Sequence, residues 1–288
     1  MKLFVRDLTV IDATYLDAQR GFVGESYIVD VTLTGALNEQ SMILDFSLVK
    51  KQIKAIIDAE VDHKLIVPHA SERCAVTLEP QRTQVNFKLN DNSYIQLKCP
   101  NEAYCLVESE TVTIEVIETY LEHLILLQLP DNIGGLEITL RSEKIETPFY
   151  HYTHGLKKHD GNCQRIAHGH RSKLDIFING EFNHALVQDW ANRWKDIYLV
   201  SRDDIIDKAD LSFIIKSNNV EKLCTAYHAP QGYFELLIPA HRAEVLPKDT
   251  TVEELAEFIC VQTKKRVGTD NVTVYAYEGV GKGAIAEL

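Results

Sequence analysis

The chain has no stretch approaching the roughly 20 consecutive apolar residues a bilayer-spanning helix requires, so a membrane span is not expected. It lacks an excess of basic residues. Thirty Lys and Arg face 42 Asp and Glu, a net charge of −12, which argues against a sequence-independent grip on nucleic acid. It has no CxxC pair. Its six cysteines (74, 99, 105, 163, 224 and 260) are scattered, which excludes a disulfide framework and suits reduced thiols in a cytoplasm. Charges interrupt the apolar residues of Met1 to Asp12, so no signal peptide is expected there. No Pro/Ser-rich linker divides the 288 residues, a length sufficient for one large or two ordinary domains.

What is present is concentrated between His154 and His170, in HGLKKHDGNCQRIAHGH. The stretch ends in His168-Gly169-His170 and continues into an alternating run, Lys173 to Ile178. On a strand, His168 and His170 share a face, because side chains repeat every second residue. Two imidazoles on one face make two legs of a metal site, and His154 is the best candidate for the third. Three nitrogens would leave one position open for a substrate, as in catalytic zinc. Histidines gathered on a polar strand end are the alternative. Cys163 is open to three readings: a fourth ligand, a catalytic thiol, or an inert buried residue.

The chain also repeats itself. Tyr27 to Leu33, leading through Gly35 to Asn38, is echoed by SKLDIFINGEFN at 172–183. Met42 to Phe46 is echoed by Leu186 to Trp190, and residues 93–112 align without a gap to 232–251. This is a duplication of a unit of about 140 residues, with its junction expected at 144–148. Each unit is expected to start with two half-buried strands, 1–13 and 26–35 in the first, joined by a loop. A helix capped by Asp45 follows, with Phe46, Val49, Ile53, Ile56 and Ile57 as its apolar stripe. Then come a hairpin around Asn90-Asp91-Asn92, a helix over about 111–127 and a closing strand at 136–140. The second unit is expected to repeat this with strands at 149–154 and 172–179, a helix over 251–265 and a strand at 272–277. A short helix after Asp189 should give way to a strand over Ile197–Ser201. Hairpins with helices laid on one face make an α+β class.

These residues resemble the 6-pyruvoyl-tetrahydropterin synthase and 6-carboxytetrahydropterin synthase family, whose members have the T-fold. The resemblance rests on the strand ending in His154, the Cys-containing loop, and His168-Gly169-His170. It continues with Asp189-Trp190, Thr251-Val252-Glu253, and a strand ending in Glu278. In the first half it rests on Met42 to Phe46 and on Asp62-His63-Lys64-Leu65. It implies two tandem T-fold units, 1–144 and 145–288, each an antiparallel sheet with two helices on one face. It implies that His154, His168 and His170 hold Zn²⁺, and that Cys163 is the catalytic thiol. Glu278 would anchor the pterin edge, Thr251 and Glu253 would line its pocket, and Asp62 and His63 would assist proton transfer. The activity implied is lysis of 7,8-dihydroneopterin triphosphate to 6-carboxy-5,6,7,8-tetrahydropterin, on the way to deazapurine nucleosides such as queuosine. The 6-pyruvoyl product and a non-catalytic pterin- or metal-binding paralogue are the alternatives, and a urate-oxidase-like chemistry is a third. A cytoplasmic homo-oligomer is expected. Lys157, Lys158, Arg165, Arg171 and Lys282 are candidates for meeting the triphosphate.

The halves depart from the family pattern in opposite ways. In the first, Tyr15, Val23 and Glu25 stand where the ligands should be, and the thiol loop shrinks to Asp17–Gly21. Ser142 stands at the position of the anchoring glutamate. In the second half the Asp-His position is expected within Ser201–Asp210, where no histidine occurs. The inference is a divided site: zinc, thiol and anchor from the second half, Asp62-His63 from the first. A bland reading remains for Thr250 and Glu253, which have capping-box spacing. Another remains for Glu278, as a charged strand end before a flexible tail. His159 is read as a solvated residue or an occasional metal neighbour. His151, His184, His228 and His241 have no evident partner.

Overall fold

In each half the alternating segments close into one long hairpin. The computed structural model describes residues 1–39, 41–216, 219–268 and 271–288. The first half comprises β1 (Lys2–Asp17), β2 (Gly21–Gly35), α1 (Phe46–Glu60), β3 (Leu65–Pro68), β4 (Cys74–Leu78), β5 (Arg82–Lys88), β6 (Tyr94–Pro100), β7 (Tyr104–Val107), α2 (Ile114–Leu126) and β8 (Ile133–Ser142). After the connection at 143–148 come β9 (Phe149–His154), β10 (His168–Ile178), β11 (Glu181–Phe182), α3 (His184–Arg193), β12 (Ile197–Ser201), β13 (Lys222–Ala229), β14 (Gly232–Pro239), β15 (Ala243–Leu246), α4 (Val252–Val267), β16 (Val272–Tyr277) and β17 (Gly283–Glu287).

Among the described residues these form three sheets. One has the order β7-β3-β1-β2-β8, the second β15-β12-β9-β10-β16-β17, and the third β13-β14-β6-β5-β4. The first two are mixed, which corrects the expectation of antiparallel sheets. β3 runs parallel to β1 and to β7, and β12 runs parallel to β9 and to β15. A helix intervenes between β1 and β3 and between β9 and β12, and strands of the third sheet intervene between β3 and β7 and between β12 and β15, so each time the chain re-enters the sheet in its original direction. The third sheet joins the halves, with Leu97 of β6 opposite Leu236 of β14.

The helices cover one face of each main sheet. α1 buries Val49, Ile53, Ile56 and Ile57 against Ile11, Ala13, Val29 and Val31. Asp45 caps it, accepting from the backbone of Ser47 and Leu48. α4 buries Leu255 and Ile259 against Tyr150, Tyr152 and Leu174. A third core lies across the seam and draws on both halves: Leu16, Phe22, Phe87 and Leu97 from one, Ile166, Tyr198, Phe234 and Leu236 from the other.

The opposite faces of the two hairpins meet at a local pseudo-dyad. Thr14 Oγ1 lies 2.9 Å from Thr153 Oγ1. Beside them, a Cβ on Gly24 would stand 2.0 Å from the Tyr152 carbonyl oxygen, and one on Gly169 would stand 2.6 Å from the Gly24 Cα. No side chain fits there, and this holds the backbones in contact.

Three local expectations are corrected. The segment between Thr14 and Glu25 is not a loop, since β1 and β2 pair continuously out to Asp17 opposite Gly21. Asp189 does not start a helix as Asp45 does. Asn183 caps α3, accepting from Leu186, and Asp189 lies inside the helix. The tail is no flexible extension, because β17 pairs with β16 from Gly283 to Glu287.

Candidate metal centre

Strand register brings the three histidines together. His154 closes β9 directly opposite His168, and His170 lies opposite Tyr152. All three rings are buried, at most 1 % exposed. One ligand nitrogen from each lies within 4.8 Å of the others. His154 Nδ1 donates to the Thr250 carbonyl at 2.9 Å, and His168 Nδ1 to the Arg165 carbonyl at 3.0 Å. Those bonds fix the tautomer and leave each Nε2 with a lone pair. The Nε2 atoms of His154, His168 and His170 are buried and have no hydrogen-bond partner among the described residues. Burial first, then neighbouring imidazoles, hold His154 and His168 well below the ordinary histidine range, so both are neutral. Two neutral, anchored imidazoles and the buried His170 ring beside them, each with an unpartnered Nε2 among the described residues, fit a zinc ion that keeps one open position.

The first half supplies the other side of the centre. His63 follows α1, and its ring centroid is 5.1 Å from that of His168. His63, Cys163 and His168 also place one ligand atom each within 4.8 Å of one another. Asp62 Oδ2 lies 2.6 Å from His63 Nδ1, while Asp62 Oδ1 accepts from the Asp12 amide at 2.8 Å. Burial alone would lower the His63 pKa, but hydrogen bonds with Asp62 and Cys163 outweigh it and raise it to about 10. His63 has φ +56, a conformation stabilised by its amide donating to the Asp12 carbonyl at 2.8 Å. Cys163 is half-buried in a short helical turn, with its carbonyl bonded to the Leu156 amide.

Two residues missed in the sequence bear directly on the centre. Asp12 Oδ1 lies 3.2 Å from His170 Nδ1 and accepts from Ser26 Oγ at 2.5 Å. Lys282 Nζ reaches Asp12 Oδ2 at 3.2 Å. Burial would raise the Asp12 pKa, but His170, Lys282 and Ser26 outweigh it and hold it well below the usual carboxylate range. In an alternating strand Asp12 reads as an outward polar residue, and only the second half laid on that face buries it. Thr250 is the other, bonded to His154 rather than forming a capping box with Glu253.

The remaining predicted residues divide. Glu278 Oε1 lies 3.9 Å from His170 Nε2, and Glu278 Oε2 is 3.9 Å from Lys282 Nζ. Thr251 is the N-cap of α4, accepting from Glu254 at 3.5 Å, and lines a cavity of about 140 Å³ with Gly155, Lys157 and Thr250. Glu253 is exposed on the first turn of α4 and joins none of these groups. Of the triphosphate candidates, Lys157 pairs with Asp204 and Lys158 with Asp249. Arg165 and Arg171 donate to the carbonyls of Asp62 and Glu143. Three histidines expected to lack partners have them: His151 Nδ1 donates to the Gly24 carbonyl at 2.7 Å, His184 meets the Phe182 ring edge to face, and His228 stacks on Tyr233.

Register also identifies each position's counterpart in the other half. Tyr15 opposite Val23 matches His154 opposite His168, and Glu25 matches His170. Ser142 opposite Tyr27 falls where Glu278 follows β16. The counterpart of His63 is Asp196: His63 lies two residues before Leu65, which pairs with Thr14, and Asp196 two before Tyr198, which pairs with Thr153, and both have φ +56. This corrects the expectation that the position lay within Ser201–Asp210. There Arg20 donates to both Asp196 oxygens, at 2.9 and 2.5 Å, and to Tyr15 Oη at 3.3 Å. A guanidinium thus occupies the neighbourhood that in the second half is lined by the histidine nitrogens.

The family model described as 6-pyruvoyl tetrahydropterin synthase matches residues 17–125 and 145–287. The chain belongs to this family. The match in two segments agrees with a tandem duplication. A protein of Methanocaldococcus jannaschii with the provisional name 6-carboxy-5,6,7,8-tetrahydropterin synthase is 32% identical over 122 residues, 41% of this chain and 71% of its own. A Pyrococcus abyssi protein of the same provisional name is 27% identical over 128 residues, 44% of this chain and 73% of its own. Among solved structures, a 6-pyruvoyltetrahydropterin synthase of Plasmodium vivax is similar at 19% identity and TM-score 0.41, covering 51% of this chain and 93% of that one. The Plasmodium falciparum family member matches at 19% identity and TM-score 0.40, covering 50% and 91%.

Proposed function

We propose that the chain is two tandem T-fold units, 1–144 and 145–288, forming one zinc-dependent pterin synthase centre per chain. The reaction proposed is lysis of 7,8-dihydroneopterin triphosphate to 6-carboxy-5,6,7,8-tetrahydropterin, in a cytoplasmic homo-oligomer. The observation that carries this reading is the set of three buried, unpartnered Nε2 atoms with a thiol and an Asp-paired imidazole beside them. The provisional names of the two archaeal relatives favour the carboxy product.

Zinc held by His154, His168 and His170 would polarise the side-chain hydroxyls of a reduced pterin and make neighbouring C–H protons more acidic. The protein must then move those protons. In this reading Cys163 accepts a proton as thiolate, and His63 exchanges it through the ring nitrogen that Asp62 does not hold. Asp62 fixes the His63 ring orientation, with its own second oxygen held by the Asp12 amide. Glu278 offers its carboxylate to paired N–H donors of the pterin, and Thr251 borders the pocket.

The test is incubation of zinc-loaded protein with dihydroneopterin triphosphate and identification of the product by mass spectrometry. The reading predicts 6-carboxytetrahydropterin from the wild type. Cys163→Ala and His63→Ala should each keep one zinc per chain and lose turnover by at least about a hundredfold, the scale of a lost acid–base group. Full turnover in His63→Ala would remove the first half from the chemistry.

A further inference from the structure

Between two of the three histidine rings, at the edge of the core under α4, stands a tyrosine whose hydroxyl the packing does not account for. Tyr152 is fully buried in β9, its ring centroid 5.0 Å from that of His154 and 5.2 Å from that of His170. Its counterpart in the first half is Ala13, which sits opposite Glu25 as Tyr152 sits opposite His170, so the hairpin closes equally well on a small residue. A phenylalanine would fill the same volume without burying a hydroxyl, yet Tyr152 Oη is buried and has no hydrogen-bond partner. A buried donor left unpaired is disfavoured, and such groups in native folds call for an explanation. After burial itself, the charges that bear on this hydroxyl are those of Glu278, Tyr150, Asp12 and Cys163, and all but Tyr150 line the centre. Tyr150, two residues earlier, is a useful contrast. Its hydroxyl is also unpartnered, but its ring packs on Trp194 and burial alone acts on it.

We infer that Tyr152 Oη is the hydrogen-bond donor to the oxygen that occupies the open position of the three-histidine centre: water at rest, a pterin side-chain hydroxyl when ligand is bound. Tyr152 thereby selects pterins with a hydroxylated side chain over those with an alkyl one. This rests on the reading of the centre as a zinc site for pterins.

The probes are neopterin, which carries side-chain hydroxyls, and 6-methylpterin, which carries none. Binding of each to zinc-loaded wild type, Tyr152→Phe and Tyr150→Phe is measured by calorimetry, with zinc content and melting temperature read on the same samples. Tyr152→Phe should keep one zinc per chain, melt no lower than wild type and bind 6-methylpterin normally. Its affinity for neopterin should fall about tenfold, while Tyr150→Phe should match wild type on both ligands. Unchanged neopterin binding by Tyr152→Phe overturns the inference. So does an equal loss for both ligands, or a loss of zinc with a lower melting temperature, since either marks a packing role. If the wild type binds zinc but neither pterin, the proposed function fails and this inference falls with it.

Discussion

Asp12 shows how one residue can make two contacts at the seam, one with its side chain and one with its backbone. Its carboxylate faces His170 while its amide holds Asp62, so it links His170 to the Asp62-His63 pair. Asp12→Asn should weaken zinc binding by about 10- to 100-fold, the range for a lost carboxylate behind a ligating histidine, and a chelator competition would measure it. Glu25 shows the opposite fate of a ligand position. Burial, only partly offset by Ser26 and Arg171, raises its pKa to about 7. A carboxyl that is raised on folding binds a proton more tightly in the native state. Its contribution therefore destabilises as pH rises from the unfolded value, about 4.3, through about 7. Wild type should lose melting temperature between pH 5 and pH 8, and Glu25→Gln should lose less. An identical pH profile in the two proteins would show that Glu25 is not held neutral. The three histidines could be picked out in the sequence by residue type and spacing, whereas the roles of Cys163 and Asp62-His63 came from the family resemblance. Asp12 and Tyr152 could not be picked out, because an aspartate and a tyrosine in an alternating strand are ordinary until another surface covers them.

Among the elements, the paired hairpins β1–β2 and β9–β10 determine most of the architecture. Gly24 and Gly169 let them touch, and a methyl group at either would meet backbone that cannot swing aside. Gly24→Ala and Gly169→Ala should each destabilise by more than about 3 kcal/mol in denaturant unfolding, in the upper range for single substitutions. Gly180→Ala, with open space around its Cβ but φ +81, should cost only about 1 kcal/mol. Periodicity identified β16 to the residue and α1 and α4 closely, because each buries one face, and β9 and β12 to the residue as short apolar runs with clear ends. It failed at Thr14–Glu25, where burial on both faces removes the alternation. It failed again at β17, whose short polar-flanked run pairs only because the turn at Gly279 and Gly281, both with positive φ, folds it back.

For the whole molecule, duplication allowed the two ancestral sites to diverge. The second half kept the imidazoles, while at the corresponding first-half positions Arg20 bonds Asp196 and Tyr15. The core shared across the seam joins Phe22 and Phe87 to Tyr198 and Phe234, so the halves are not independent folding units. Each half expressed alone should be insoluble or unfolded by circular dichroism, since roughly 1.5–3 kcal/mol is lost for each large apolar side chain left exposed. The repeat was legible from aligned segments, but the mixed sheets and the third sheet joining β6 to β14 were not, because pairing between distant strands leaves no local pattern. The most direct test of the divided centre is anomalous diffraction at the zinc edge from crystals of the full chain. The account predicts one peak per chain, bonded to the Nε2 atoms of His154, His168 and His170, with His63 and Cys163 beside it and no peak among Tyr15, Val23 and Glu25. No peak at the three histidines, or an equal one in the first half, would contradict it.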